Sequence, residues 1–148
     1  MLFRSGSWQS LGADNLASTP IAVDDDIVYI GLFDFGILVI DRMTGDITEH
    51  WNQDSNTLPD DDVHSLQMDD YGGLLVGAQG AFSRYDGSAW HTMTSSGGWW
   101  NRPTVFYDVT SDADGMYAGT NRGACMWNWQ YQFQDCVSTA DCMPSRFV

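Results

Sequence analysis

The chain repeats itself, and the repeat decides what it can fold into. Three segments superpose: IAVDDDIVYIGLFDFGILVID from Ile21, LQMDDYGGLLVGAQGAFSRYD from Leu66 and VTSDADGMYAGTNRGACMWN from Val109. Each has a short alternating apolar run, an acidic turn that often contains Gly, a second run ending in Gly, another Gly turn, and a third run ending in Asp or Asn. The landmarks keep step. Gly31, Gly77 and Gly119 stand 46 and 42 residues apart; Asp41, Asp86 and Asn128 stand 45 and 42 apart. A fourth run follows each unit, at 46–51, 88–93 and 131–136. Four short strands in a unit of this length are the signature of a β-propeller blade, which cannot bury both its faces alone and must stack on neighbours.

The expected fold is therefore all-β, a β-propeller segment of about three four-stranded blades. The phase divides the chain into 1–12, the last strand of a preceding blade; 13–56, 57–98 and 99–140, one blade each; and 141–148, the start of a next blade. A closed ring needs at least about four blades. The segment reads as a fragment of a larger ring, completed by remaining blades of the same protein or by self-association.

Composition agrees with the turns. Of the 20 acidic residues 19 are Asp, all six basic residues are Arg, and Lys is absent. Asp favours turns where Glu and Lys would favour helices. A net charge of −14 excludes nucleic acid and anionic membrane surfaces as partners, since both require a basic footprint. No stretch is apolar enough for membrane insertion, and MLFRSGSWQS lacks the apolar run of a signal peptide.

The stretch NTLPDDDVHSLQMDDYGGLLVGAQGAFSRYD (56–86) resembles the repeat of the two-component regulator propeller family: a Leu-Pro opening, a first strand, an acidic-Gly turn and a closing aromatic-Asp. The third unit keeps Asp-Gly and Gly-Thr in DADGMYAGTNRGACMWN (112–128). The first unit, with its Asp, Thr-Gly and closing Trp51, is also similar to quinoprotein (PQQ-type) propeller repeats, although Trp51 comes two residues late. The regulator resemblance implies an extracytoplasmic sensor or recognition module (periplasmic, secreted or cell-surface) without catalysis of its own. The quinoprotein resemblance implies a dehydrogenase with a cofactor at the ring axis, whose residues have no place in three blades.

Among candidate chemistry, DDYGG and DADG could present Asp69, Asp70, Asp112 and Asp114 as weak Ca2+ ligands. They lack the spaced acceptors of a dedicated loop and read better as tight hairpins; no metal site and no cofactor is expected. His50, His64 and His91 form no constellation, and no Gly-x-Ser-x-Gly elbow is present. Cys136 and Cys142 sit six apart and are the expected disulfide, leaving Cys125 free, unless all three stay reduced.

The ligand-binding expectation falls on GGWWNRP (97–103), a crossover between blades. Trp99, Trp100 and Arg102, with Phe33, Phe35, Gln79, Asn121 and Arg122 on nearby loops, offer stacking and hydrogen-bonding groups for a carbohydrate, peptide or protein partner. The chain thus reads as a non-catalytic recognition, sensor or scaffold module. The alternatives are an arc of a propeller enzyme, quinoprotein-like or polysaccharide-active, and a self-assembling structural arc.

Overall fold

The computed structural model describes residues 2–4, 7–9, 18–55, 58–93, 105–121 and 123–138. They form strands and turns, with no helix among them. A hairpin of β1 (Leu2–Arg4) and β2 (Ser7–Gln9) comes first, two short strands where one was expected. Three four-stranded antiparallel sheets follow. The first holds β3 (Ser18–Val23), β4 (Ile27–Leu32), β5 (Gly36–Asp41) and β6 (Ile47–Trp51). The second holds β7 (Val63–Met68), β8 (Leu74–Ala78), β9 (Phe82–Tyr85) and β10 (Trp90–Thr92). The third holds β11 (Phe106–Ser111), β12 (Met116–Thr120), β13 (Gly123–Trp127) and β14 (Phe133–Ser138). In each the strands lie side by side in chain order, and the first strands β3, β7 and β11 pack on one another in turn.

The alternation of side chains along each strand sends successive residues to opposite faces, and both faces of the middle sheet are used. Leu74 and Val76 point back into a core with Tyr29, Ile37, Val39 and Trp51 of the first sheet. Leu75 points forward into a second core with Phe106, Val109, Met116 and Trp127 of the third. Trp127 is 1% exposed and stacks edge-to-face on Phe82 of the second sheet. Burying a ring of that size contributes on the order of 2–3 kcal/mol.

Two glycines set how closely the sheets approach. A Cβ on Gly31 would lie 2.8 Å from Val63 Cγ1 in the second sheet. A Cβ on Gly77 would lie 2.8 Å from the Phe106 carbonyl oxygen in the third. Gly119 is their equivalent one unit on, and there a Cβ meets only Asp108 of its own sheet, at 3.9 Å, among the described residues.

Four of the aspartates have a specific role in the turns. Asp41, Asp69, Asp86 and Asp112 each accept backbone N–H bonds from the residues two to four positions on, and Asn128 does the same in the last hairpin. This side-chain cap closes a turn that the backbone alone would leave unsatisfied.

The disulfide expectation is corrected here. Cys125 and Cys136 face each other in the β13–β14 register and are bonded to one another. Spacing along the chain suggested Cys136–Cys142, but adjacent antiparallel strands bring directly opposed Cβ atoms within bonding reach, whatever their sequence separation. Cys142 lies outside the described residues.

Candidate functional site

Hydrogen bonds between turns assign the loops to two ends of the sheets. At one end the first-to-second and third-to-fourth turns join: Arg42 N–H donates to the Asp26 carbonyl at 2.9 Å, and the Trp129 indole N–H donates to the Asp112 carbonyl at 3.1 Å. At the other end the second-to-third turns join the crossovers. Gly36 N–H donates to Asp61 O, Gln79 N–H to Asp62 O, and Asn121 N–H to Val105 O.

The expected ligand residues that can be placed all lie at this second end. Phe33 and Phe35 flank Asp34, which takes the left-handed conformation (φ 55°) in the β4–β5 turn, and both rings are exposed. Gln79 and Asn121 are drawn together through Val105, which bridges to Gln79 and receives the Asn121 N–H. Phe35 turns aside to stack on His50 at 4.3 Å. Trp99, Trp100, Arg102 and Arg122 lie outside the described residues.

His64 enters this picture more strongly than its isolation in the sequence implied. Its ring stands edge-to-face between Phe33 of the first sheet (6.4 Å) and Tyr107 of the third (5.9 Å). One ring from each blade thus forms a row: Phe33 from the β4–β5 turn, and His64 and Tyr107 from the inner strands β7 and β11. Behind it Asp62 is 6% exposed, with Oδ2 3.4 Å from His64 Nε2. The other oxygen, Asp62 Oδ1, is buried without a hydrogen-bond partner among the described residues. Asp60 beside it has its carboxyl held above the ordinary range by burial and by the charges of Asp62 and Asp61, against the pull of the Asp62 amide.

The turn end carries an arrangement that sequence reading missed. Arg84 on β9 is buried, and its Nε donates to Asp69 Oδ2 at 2.6 Å; the Asp69 side chain is wholly inaccessible. Burial alone would lower the guanidinium's pKa, but hydrogen bonds to Asp69 and Tyr131 hold it above its ordinary value. The Arg84 Nη1 donates across the sheet junction to the Tyr131 hydroxyl at 3.1 Å. Trp129 lies over the guanidinium at 5.5 Å and meets Tyr71 edge-to-face at 4.7 Å. Together Tyr71, Arg84, Trp129 and Tyr131 line a cavity of about 320 Å³ between the second and third sheets.

Asp69 is therefore half of a buried ion pair, and its turn does not offer that carboxylate to a cation. Asp112 spends its oxygens on the Asp114 and Gly115 amides and the Tyr117 hydroxyl. Among the described residues no three His, Cys, Asp or Glu side chains are placed to hold a metal ion.

No family model matches the chain, and no curated protein matches it. Solved structures do. The chain is similar to the extracellular domain of a hybrid two-component system protein from B. thetaiotaomicron, with TM-score 0.69 and 14% identity over 80% of this chain and 16% of that one. A second such domain from the same organism gives TM-score 0.70 and 14% identity over 86% of this chain and 17% of that one. The computationally designed Ika4 protein gives TM-score 0.64 and 21% identity over 86% of this chain and 76% of that one. The fold is an arc of a β-propeller. Its three sheets are blades, and the arc spans about one sixth of the length of the extracellular domains it resembles.

Proposed function

We propose that this arc is a recognition module of an extracytoplasmic propeller sensor, working without catalysis of its own and binding a carbohydrate, peptide or protein partner at its crossover end. The observation that carries the reading is the row Phe33–His64–Tyr107, one ring from each blade, backed by the buried Asp62 carboxylate. Rigid rings give contact area at low entropic cost. Gln79 and Asn121 add amide groups on the same end. The segment with Trp99, Trp100 and Arg102 precedes Val105 in the chain and belongs to this proposed surface. The extracellular origin of the similar structures supports the location.

The test is binding of the 148-residue chain to arrayed oligosaccharides and peptides, beside the variants Phe33→Ala, Tyr107→Ala and Trp99→Ala. The reading expects a retained ligand, about tenfold or greater loss in each variant with the fold intact, and no turnover of that ligand. Unchanged binding by all three variants, or turnover by the wild type, refutes it.

A further inference from the structure

At the opposite end of the blades, Tyr131 occupies a backbone position that should belong to glycine. The hairpin turns 69–73 and 128–132 are built alike. Asp69 N–H donates to Gly73 O and Gly72 N–H to Asp69 O; Asn128 N–H donates to Gln132 O and Tyr131 N–H to Asn128 O. In the first turn the left-handed residue is Gly72, at φ 80°, and in the second it is Tyr131, at φ 62°. A side chain there costs about 1–2 kcal/mol. Such outliers persist where surrounding structure holds them, and they gather at binding sites.

What the strained residue contributes is a wall of the Tyr71–Arg84–Trp129 cavity. Its ring lies flat on His91 at 4.2 Å, which fixes its angle, and its hydroxyl accepts from Arg84. We propose that this cavity is a binding site for a proline-containing peptide segment with a basic flank, separate from the crossover-end surface.

Three features select that ligand. Trp129 and Tyr71 meet at an interplanar angle of 80°, forming a corner of two rings. A prolyl ring fits such a corner, and extended polyproline segments dock in aromatic grooves of this kind. The floor supplies donors. Of the five guanidinium N–H groups, Asp69 and Tyr131 take three, leaving two without a partner among the described residues to meet a ligand carbonyl, and the carbonyls of a polyproline helix have no internal partners. The turns around the cavity carry Asp70, Asp86, Asp112 and Asp114, in a chain of net charge −14. Asp69 neutralises Arg84, so an acidic ligand meets no net attraction while a basic flank does.

The test follows the Trp129 indole N–H resonance while the chain is titrated with a synthetic peptide of about twelve residues carrying a Pro-Pro pair flanked by arginines. A version with the prolines changed to alanine, one with the arginines changed to glutamate, and cellobiose are titrated in parallel. The expected result is a saturable shift with the first peptide, weakened about tenfold or more by loss of either the prolines or the arginines. The variant Tyr131→Gly removes the wall, so it should lose binding about tenfold; relief of the left-handed strain offsets part of the lost packing, and an unchanged amide spectrum outside the cavity confirms the fold before titration. Unaltered binding by Tyr131→Gly overturns the proposal. So does a shift with cellobiose alone, which would make the cavity a saccharide site, or no shift with any probe, which would make it aromatic packing.

Discussion

Arg84 and Asp69 form a buried ion pair at 2.6 Å, and the same carboxylate caps its own turn. One oxygen takes the Tyr71 and Gly73 amides while the other takes the Arg84 Nε. Gly73 makes this possible, since any Cβ there would collide with the guanidinium. The pair ties the third strand of the middle blade to its first hairpin, and through Tyr131 to the next blade.

Asp69→Asn keeps a cap oxygen but leaves the Arg84 charge uncompensated. It should cost about 3–5 kcal/mol in urea unfolding, and adding Arg84→Met should recover most of that loss, because an apolar pair carries no buried charge. A single variant as stable as wild type would show that water already reaches the guanidinium.

The blade junctions predict a graded glycine series. Gly31→Ala and Gly77→Ala push a methyl group into the next blade and should each cost about 1–3 kcal/mol. Gly119→Ala, with open space among the described residues, should change stability by less than about 0.5 kcal/mol. Thermal unfolding of the three variants checks the order, and equal losses at all three would contradict the stacking.

Mapping the protein without reductant should recover a Cys125–Cys136 linked peptide and label only Cys142 as a free thiol. Changing the pair to alanines should cost about 2–3 kcal/mol, the loop-closure value for a separation this short. A Cys136–Cys142 peptide would overturn the pairing.

Two carboxylates should respond to pH in opposite senses. Asp86 is held well below the usual range, first by the His91 imidazole and then by the Ala89 and Ser88 amides. Its contribution is complete above about pH 4 and is lost as pH falls from there through its low native value. Asp60 is raised by burial, so its penalty is absent below about pH 4 and grows as pH rises through its native value. Asp86→Asn should therefore destabilise at neutral pH and less in acid, and Asp60→Asn should stabilise at neutral pH only. A carboxyl-carbon NMR titration in which the two groups move together would contradict both assignments.

The blades were legible because their signals are local and periodic. Alternating runs, Asp turns and stepped glycines recur in one chain, and Asp41, Asp69, Asp86 and Asp112 each cap the turn they mark. The cavity was not legible. Tyr131 falls in a fourth run, while Arg84 lies in the third run of the preceding unit. They meet only because two blades stack in one register, which no local window contains. The disulfide departs from the expected pairing for another reason: Cys125 and Cys136 are opposed by the pairing of β13 with β14 within one blade, which spacing along the chain does not show.

The most direct check of the account is a set of proton contacts across the junction of the second and third blades, measured by NMR in solution. Stacked blades place Gly77 Hα against the Val109 methyl groups, the Arg84 side chain against the Tyr131 ring, and the Tyr71 ring against the Trp129 indole. All three cross-peaks are expected together. Their absence, with the hairpin contacts within each blade intact, would mean that the sheets form but do not stack, and that neither the propeller arc nor its cavity exists in solution.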